Sequence, residues 1–412
     1  MSDAVASPGT SARGSFSIFT ASRLQLYGYA LALIYAVALI HFYLARAWIV
    51  DHSGAPLYGD FTDAWVAGWQ ALNAEAAQLY DSNEFVRIQK ALLGARDYFY
   101  PNWPYPPTFF LILAPLSTLP YPYAFLTWDV ATLLGCLAVV YLIVGRSTAI
   151  ALALASPFTA WNFLAGQNGF LTASLLGASL FLLEKRPIVA GVIIGCLTYK
   201  PQFGILLPIA LVACRQWRAI ASAGVAAALL AAVSIALFGS DAWAAFPNGF
   251  VEQSRLNLGG GPDSNWGYLQ TVYGLIRSLH GSANTAWLVQ GLTTLATAAI
   301  VWILWQSPVR YPLKAATLSA AALIATPYAF AYDMAAIVVP AAFLATDQLR
   351  RGLLWGDKAI WIMLFGAPLA VLVTLGDDRG GHTFGETPVS LLSVIVLFGV
   401  ILRRVRQPAT FA

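Results

Sequence analysis

Two aspartates in one short polar segment are the residues best placed to do chemistry. Asp60 and Asp63 stand in the sequence YGDFTDAW, ahead of a stretch with apolar residues at helical spacing. Asp63 is placed like an N-cap, whose side chain accepts from the first amides of a helix. Asp60 lies where the chain leaves an apolar segment, and a half-desolvated carboxylate there would have a pKa suited to a general base. A plain solvated acid is the equally weighted alternative for Asp60.

The elements that must hold these acids are predicted to lie in a membrane. Of the 412 residues, 59% are hydrophobic and 10% are charged, whereas a soluble globular chain carries about 25% charged residues. The mean hydropathy is +0.68. Apolar stretches recur along the chain without the period-2 alternation of barrel strands. We therefore predict an all-α polytopic membrane protein with about 10–13 transmembrane or re-entrant helices.

The apolar stretches divide the chain into helical spans. The predicted spans are Leu24–Ala45, Tyr121–Val144, Ala149–Phe163, Gly169–Leu183, Pro187–Tyr199, Phe203–Cys214, Arg218–Phe238, Ala286–Gln306, Leu313–Thr326, Met334–Thr346, Lys358–Leu375 and Pro388–Leu402. Short neighbouring spans at 149–183, 187–214 and 313–346 are predicted to form helical hairpins. Pro107–Leu119 is too short to cross alone, so we expect it to re-enter or to lie in the interface. Residues 23–405 form one predicted transmembrane domain, between a disordered cytoplasmic tail (1–22) and a second tail (406–412).

Charge gives the predicted orientation. Basic residues fall on one side of these spans, and most acids fall on the other. Because cytoplasmic loops carry the excess of Lys and Arg, we predict an inner-membrane protein with both termini in the cytoplasm. Two long loops, Arg46–Pro106 and Gly239–Thr285, then face the periplasm. Long loops in a compact protein are usually functional, so the candidate site is predicted to face outward. The first loop is predicted to carry an amphipathic interface helix over Ala64–Leu79.

Several segments share their order and spacing with a family of membrane enzymes. They are GDFTDAW, QLYD, YPPTFFLILAPLSTLPYPYAFLTW, GQNGFLTASLLGASLFLLEKRPIVAGVIIGCLTYKPQFGILLPIAL, PDSNWGYLQTVYGLIR and TPYAFAYDM, between about Leu24 and Pro340. In these segments the chain resembles glycosyltransferase family 87. The resemblance implies a GT-C type fold and an activity similar to that of polyprenyl-phosphate-mannose-dependent α-mannosyltransferases, with some relatives that are arabinofuranosyltransferases.

The resemblance also implies roles for particular residues. The donor would be a sugar on a polyprenyl phosphate, most commonly mannose, and the acceptor a lipid or glycan at the outer membrane face. Asp60 matches the family's base in the first external loop. The late TPYAFAYD segment holds Tyr328, Tyr332 and Asp333 where the family has a contributing histidine or other polar residue. We expect Tyr332 and Asp333, together with Asp63, to bind substrate.

Transfer from a phosphate-linked sugar requires a base, an aligned acceptor hydroxyl and groups that stabilise the departing phosphate. Lys200 in TYKPQ is a phosphate-binding candidate, since an intramembrane lysine is functional by default; a snorkelling lysine is the alternative. Arg255 in the second loop is another candidate, or a surface charge. Gln167 and Asn168 are predicted to bind substrate or only to form a polar turn. Gln202 is predicted to hydrogen-bond phosphate or sugar.

Other features receive weaker interpretations. Asp129, within the second span, either pairs with a polar neighbour or lines a cavity. The run Gly259–Gly261 is interpreted as a gate over the site or as a plain linker. Several aromatic side chains suit either sugar stacking or the interface belt; they are Trp65, Trp69, Trp103, Tyr105, Trp161 and Trp266.

Partners and alternatives follow from the same features. Asp60 and Asp63 could hold a divalent ion, but no third ligand is evident, so no metal and no other cofactor is predicted. The net charge of +4 requires no nucleic-acid partner, and membrane lipids are the expected surroundings. The competing function is a transporter or flippase of lipid-linked sugars, which would tend to show internal repeats and broken helices. A purely structural subunit would leave the two long loops unexplained.

Overall fold

The prediction of an all-α protein is confirmed. The computed structural model describes residues 20–73, 75–94, 100–259, 266–354 and 389–407, with positions 356, 357, 360, 361, 364, 366, 368 and 369. Over these residues no strand forms, apart from isolated bridges that join Val50 to Trp48 and to Pro56. The predicted span Lys358–Leu375 lies largely outside the described residues, as do the tail 1–19 and the glycines at 260 and 261.

The described helices and turns follow one another along the chain in this order. The α-helices are α1 (Ala21–Leu44), α2 (Asp60–Asn73), α3 (Ser82–Leu93), α4 (Phe110–Leu116), α5 (Tyr121–Val144), α6 (Ser147–Ala155), α7 (Pro157–Ala165), α8 (Gly169–Leu182), α9 (Pro187–Cys196), α10 (Leu207–Ala213), α11 (Trp217–Phe238), α12 (Ser240–Leu258), α13 (Val272–Ser278), α14 (Ala283–Gln306), α15 (Tyr311–Ala325), α16 (Val338–Arg351) and α17 (Val389–Val405). Short 3-10 turns cover Ala76–Tyr80, Pro107–Phe109, Leu197–Tyr199, Pro201–Phe203, Trp266–Tyr268 and Ala331–Ile337. Prolines stand in the first turn of α5, α7, α9 and α15, where the missing amide proton would be unpaired in any case.

Four helices in the described part of the chain are long and apolar enough to cross a membrane: α1, α5, α11 and α14. Helices α6 and α7 meet at a bend of 62° and together could make a fifth crossing. The outward surfaces of these helices are apolar; in α1 only Gly28 is buried, and Leu33 is 64% exposed. Such a surface is unstable in water and stable in lipid, so the chain is a membrane protein.

Helix α15 lies at the centre of the bundle. All residues from Ala315 to Ala325 are buried, and six of these eleven are alanine. It packs against α14, α16 and α17. Small side chains let these helix axes approach closely, as in other membrane bundles. The chain leaves α15 at Thr326 and passes directly into the segment that lines the cavity described below.

The two long loops are largely helical. The first contains α2 and α3, and the second contains α12 and α13. The re-entrant piece predicted at Pro107–Leu119 is a 3-10 turn followed by α4, with Phe109, Phe110 and Leu113 buried. Helix α4 packs against α2, so α2 rests on this short apolar segment.

The interface helix predicted over Ala64–Leu79 has different bounds. It begins at Asp60 and ends at Asn73, and Ala76–Tyr80 forms a separate 3-10 turn. The Asn73 side chain donates to the Trp69 carbonyl at 2.8 Å, a side-chain bond that competes with continuation of the helix. Because the helix begins three residues before Asp63, the prediction that Asp63 is its N-cap was wrong.

A buried ionic network ties the far ends of α15, α16 and α17 together. Arg404 is 2% exposed and donates to Asp347 at 2.9 Å and to Asp357 at 2.5 Å. Arg310, just before α15, pairs with Asp347 at 2.7 Å. Arg403 pairs with Asp357 at 2.5 Å, but its side chain is 39% exposed. The central arginine therefore neutralises two carboxylates that have little access to water.

We predict that Arg404→Met destabilises the protein far more than Arg403→Met. Removing Arg404 takes the buried one of two arginine partners from both Asp347 and Asp357, and breaking a buried ion pair costs about 3–5 kcal/mol. Arg403 is half-exposed, so its loss should lower the free energy of unfolding by about 1 kcal/mol or less. Thermal unfolding of both variants in the same detergent or nanodisc gives the comparison. Equal destabilisation by the two substitutions would contradict a central role for Arg404.

Candidate active site

A cavity of about 580 Å³ lies where the two long loops meet the ends of the membrane helices. Its walls come from α2, the segment 100–109, the turn between α7 and α8, helix α12 and the segment 328–332. The volume is in the range of small-molecule sites, about 300–1,000 Å³. The chain therefore forms a pocket between its two long loops.

Asp60 and Asp63 lie one turn apart on the same face of α2, and both line the cavity. The carboxylate of Asp63 accepts from the amide of Gln89 at 2.8 Å and from the hydroxyl of Tyr58 at 3.3 Å. These bonds replace the capping bonds predicted for Asp63. Asp60 is exposed, and since it lines the cavity, water and substrate can reach it there.

The enclosure perturbs both acids in the same direction. Burial raises the pKa of Asp60 from 3.8 to about 6, opposed by a hydrogen bond from Gln167; Asp333 raises this pKa further and Lys200 lowers it. Burial also raises the pKa of Asp63 well above its usual range, and the nearby charge of Asp60 adds to the effect. Two carboxylates in one desolvated place resist ionising together. Asp60 can therefore both hold and release a proton near neutral pH.

The turn between α7 and α8 places Gln167 beside Asp60. Gly166 caps the end of α7, and its φ is 66°. A Cβ atom at this position would lie 2.6 Å from the Phe125 ring and 2.7 Å from Phe61. Only glycine combines that conformation with that space. Asn162 braces the turn, because its amide donates to the Gln167 carbonyl at 3.1 Å and its oxygen accepts from the Gly169 amide at 2.9 Å.

A buried polar chain runs behind the cavity wall. Lys200 donates to Asp333 at 2.5 Å and to the side-chain oxygen of Asn168 at 2.7 Å. The amide of Asn168 in turn donates to the Tyr105 hydroxyl at 2.8 Å. The Lys200 ammonium also lies 5.5 Å from the centre of the Tyr332 ring. Lys200 is 2% exposed, so its contacts with the cavity pass through Asn168, Tyr105 and Tyr332.

The predicted site residues separate into three groups. Those that line the cavity are Asp60, Asp63, Gln167, Asn168 and Tyr332. Lys200 and Asp333 lie directly behind them as an ion pair.

Gln202 and Arg255 are not among the lining residues. Arg255 pairs with Glu252 at 2.7 Å, and its side chain is 66% exposed on the outside of α12. The substrate-binding predictions for these two residues stay predictions.

Sequence reasoning missed an uncharged polar wall of the cavity. It is formed by Tyr100, Asn102, Gln253 and Asn257. Gln253 and Asn257 are four residues apart on α12, and that spacing on a helix was the one available signal. Of the aromatic candidates, Trp103, Tyr105 and Trp161 line the cavity. Trp65 instead packs edge-on against Tyr121 at 5.8 Å.

Charge is distributed unevenly around the cavity. None of the lining residues within the described ranges is Lys, Arg or His. Across those ranges, no three His, Cys, Asp or Glu side chains come together as a metal site. Asp129 is fully buried and does not line the cavity, and neither of its carboxyl oxygens has a hydrogen-bond partner among the described residues. The acids therefore dominate the α2 wall, and among the described residues the cation Lys200 lies directly behind Asn168.

The raised pKa of Asp60 predicts a stability effect with a definite sign. A carboxyl with a higher pKa in the folded state stabilises that state below pH 3.8, and this contribution is lost as pH rises through about 6. Asp60→Asn removes the titrating group. The melting temperature of the variant relative to the wild type should therefore rise between pH 4 and pH 7.

Glu84→Gln, on the exposed side of α3, provides the matched control for this pH series. A difference between Asp60→Asn and wild type that stays constant across the series would show that Asp60 is not desolvated.

Comparisons with known proteins identify the chain. No curated protein matches it, and no solved structure does. A family model, glycosyltransferase family 87, matches residues 103–327. The matched region holds the α7–α8 turn, Lys200 and the second loop, while Asp60 and Asp63 precede it. Because the match covers more than half of the 412 residues, the chain belongs to glycosyltransferase family 87.

Proposed function

We propose that this membrane glycosyltransferase moves a sugar, in the first instance mannose, from a polyprenyl-phosphate donor to a lipid or glycan acceptor. Asp60 is the general base, and the reaction inverts the anomeric carbon. One observation carries the proposal: Asp60 lines the cavity between the two long loops, where loss of hydration raises its pKa to about 6. Such a group accepts a proton near neutral pH and is mostly ionised beforehand.

The reaction needs one proton acceptor. The acceptor hydroxyl gives its proton to the Asp60 carboxylate while its oxygen attacks the anomeric carbon. The bond from that carbon to the phosphate oxygen breaks, and the polyprenyl phosphate leaves with the electron pair. A phosphate leaves readily, so alignment and charge stabilisation are what remains for the protein to supply.

Asp63 is proposed to assist substrate binding and the tuning of Asp60. Burial is the larger cause of the raised pKa of Tyr58, and the nearby negative charge of Asp63 raises this pKa further. Gln89 and Tyr58 hold its carboxylate from α3 and from the segment before α2. Its distance along the helix from Asp60 is fixed, so ionisation of one acid opposes ionisation of the other.

The donor phosphate is proposed to bind on the side of the cavity that adjoins Lys200. The negative charge carried by the α2 acids would repel it, whereas the positive charge of Lys200 lies behind Asn168, Tyr105 and Tyr332. Lys200 is already paired with Asp333, so we propose that it acts mainly by orienting Asn168. Asn168, Gln167 and Tyr332 would then make the direct contacts.

The proposed location is the inner membrane, with both termini in the cytoplasm and the cavity open to the periplasm. This orientation rests on the distribution of basic residues, including Arg310, Arg350 and Arg403, at the end of the bundle away from the cavity. Neither a metal nor another cofactor is part of the proposal. Membership of a glycosyltransferase family disfavours the transporter alternative.

The general base is tested by Asp60→Asn, which retains size but cannot accept the proton. We predict that the variant folds, binds the lipid donor and loses about 10²–10⁴-fold in transfer rate. The wild-type rate should rise with pH through about 6, the pKa of Asp60. The measurement is transfer of label from a polyprenyl-phosphate sugar over pH 5–8.

Asp63→Asn is the comparison for that assay. It weakens bonds to Gln89 and Tyr58, and we expect a loss of about 1–3 kcal/mol in stability with substantial residual turnover. A dead Asp63→Asn beside an active Asp60→Asn would assign the base to the other carboxylate. Full transfer activity in both variants would remove the two acids from catalysis.

The role of Lys200 is tested by removing the ion pair in two steps. Lys200→Met alone leaves Asp333 buried without its partner and should lower stability by about 3–5 kcal/mol. In Lys200→Met/Asp333→Asn no buried charge remains, so stability should largely return. We predict that the double variant still binds donor at least tenfold more weakly, because Asn168 has lost the cation that orients it.

Donor affinity is measured on the folded double variant by equilibrium binding. Lys185→Met/Glu184→Gln, which removes an exposed lysine and an exposed acid between α8 and α9, is the control. Wild-type affinity in the double variant would limit Lys200 and Asp333 to a purely structural function.

A further inference from the structure

The uncharged wall of the cavity combines side chains from both long loops. Tyr100 and Asn102 come from the first loop, and Gln253 and Asn257 come from α12 in the second. The amide residues are nearly inaccessible: Asn102 is 3%, Gln253 6% and Asn257 1% exposed. Buried amides are normally fully hydrogen-bonded, so their unused atoms indicate what the wall can bind.

Hydrogen bonds within this wall fix the orientation of each amide. The Gln253 side-chain oxygen accepts from the Asn102 amide at 2.6 Å and from the Tyr100 hydroxyl at 3.0 Å. The Tyr100 hydroxyl donates to Gln253 and accepts from the Asn257 amide, which lies at 2.9 Å. The Asn257 amide also donates to the Gln253 carbonyl at 3.1 Å.

Three polar groups of the wall are left over. The Gln253 amide nitrogen and the side-chain oxygens of Asn102 and Asn257 have no hydrogen-bond partner among the described residues. They are also absent from the set of fully enclosed, unbonded atoms in that part of the chain, so each retains some accessible surface. The wall thus offers both amide protons of Gln253, the second amide proton of Asn102 and two acceptor oxygens, and none of its members is charged.

This combination matches the hydroxyl groups of a neutral sugar. A hydroxyl both donates and accepts, so neighbouring hydroxyls can accept from the Gln253 amide and donate to an asparagine oxygen. A phosphate or carboxylate has no proton to give to the two oxygens and would meet them unfavourably. A site built to hydrogen-bond hydroxyls also rejects analogues that lack them, because its own buried groups then go unpaired.

The wall is held in place before any ligand arrives. Gly249, one turn before Gln253, lies so close to the first loop that a Cβ atom there would come within 2.5 Å of the Trp103 carbonyl oxygen. Helix α12 also packs against the turn Ala76–Tyr80. Close contact between the loops keeps Gln253 opposite Asn102, so little ordering is required on binding.

We propose that Asn102, Gln253 and Asn257 form a subsite that binds the hydroxyls of a neutral sugar and sets which sugars the enzyme accepts. The proposal rests on the proposed transferase function and deepens it. The sugar belongs either to the donor or to the acceptor, since both bring neutral hydroxyls into the same cavity. Asp60 acts on the reacting hydroxyl, while this wall recognises the others.

The test uses Gln253→Glu, which keeps the oxygen that Asn102 and Tyr100 require but replaces the free donor by an oxygen. All binding is measured in an Asp60→Asn background, so that no probe is consumed and the result does not depend on turnover. The probes are polyprenyl phosphate with mannose, polyprenyl phosphate without sugar, and methyl α-mannoside. Ser254→Asp adds the same charge to the other side of α12 and is the matched control.

Binding of the sugar-free lipid should be unchanged in every variant. If the subsite holds the donor sugar, Gln253→Glu should lower the preference for the mannosylated lipid over the bare lipid by about tenfold. If it holds the acceptor sugar, the variant should instead lose binding of methyl α-mannoside. Asn257→Leu, a second variant from the same wall, should act in the same direction on the same probe.

Wild-type binding of both sugar probes by folded Gln253→Glu and Asn257→Leu would overturn the subsite. Failure of the transferase proposal would give a different result, because neither polyprenyl-phosphate probe would then bind the Asp60→Asn protein. If the variants also bind the sugar-free lipid more weakly, the wall supports the loops and does not recognise the sugar.

Discussion

The ion pair between Lys200 and Asp333 joins parts of the chain that are 133 residues apart, and both side chains are out of contact with water. An unpaired charge at that depth would destabilise the fold by several kcal/mol, so each residue requires the other. Lys200 also holds Asn168, the residue before α8, and Asn168 holds Tyr105. The turn that carries Gln167 to Asp60 is therefore anchored on this pair. In this way one buried contact determines how the α7–α8 turn faces the acids of α2.

The acids themselves are held at a cost to stability. A carboxylate in a cavity loses hydration, and a second one nearby makes ionisation of either harder. The fold offsets part of this loss for Asp63 through Gln89 and Tyr58, and for Asp60 through Gln167. The remaining perturbation is what gives Asp60 a pKa near 6. Stability and reactivity at this position thus have the same electrostatic origin.

The sequence was informative about residue types and membrane segments, and much less so about pairing. Apolar stretches predicted α1, α5, α11 and α14 because lipid requires long apolar helices. Asp60 stood out because acids near apolar segments are rare. Asp63 was misplaced because a cap and a first-turn acid differ by only a few residues, which no pattern resolves.

Contacts between residues far apart in the chain could not be predicted from one amino-acid sequence. The sequence marked Lys200 as unusual. Its pairing with Asp333 depends on how α9, α10 and the segment after α15 pack, which the sequence does not reveal. The bond from Asn102 to Gln253 spans 151 residues, and nothing local in either segment marks it. Amides are ordinary on an external helix, so the uncharged wall becomes visible only when both loops are in place.

The alanine-rich centre of α15 has a consequence for how this protein can diverge. The only smaller substitute for a buried alanine is glycine, which weakens a helix. A larger residue forces apart the helices that contact α15 on several sides. Mutational tolerance should therefore be lowest along α15 and higher in the helices of the two long loops. New sugar preferences would then arise by drift in α12 and the segment around Tyr100, while the bundle beneath them stays nearly invariant.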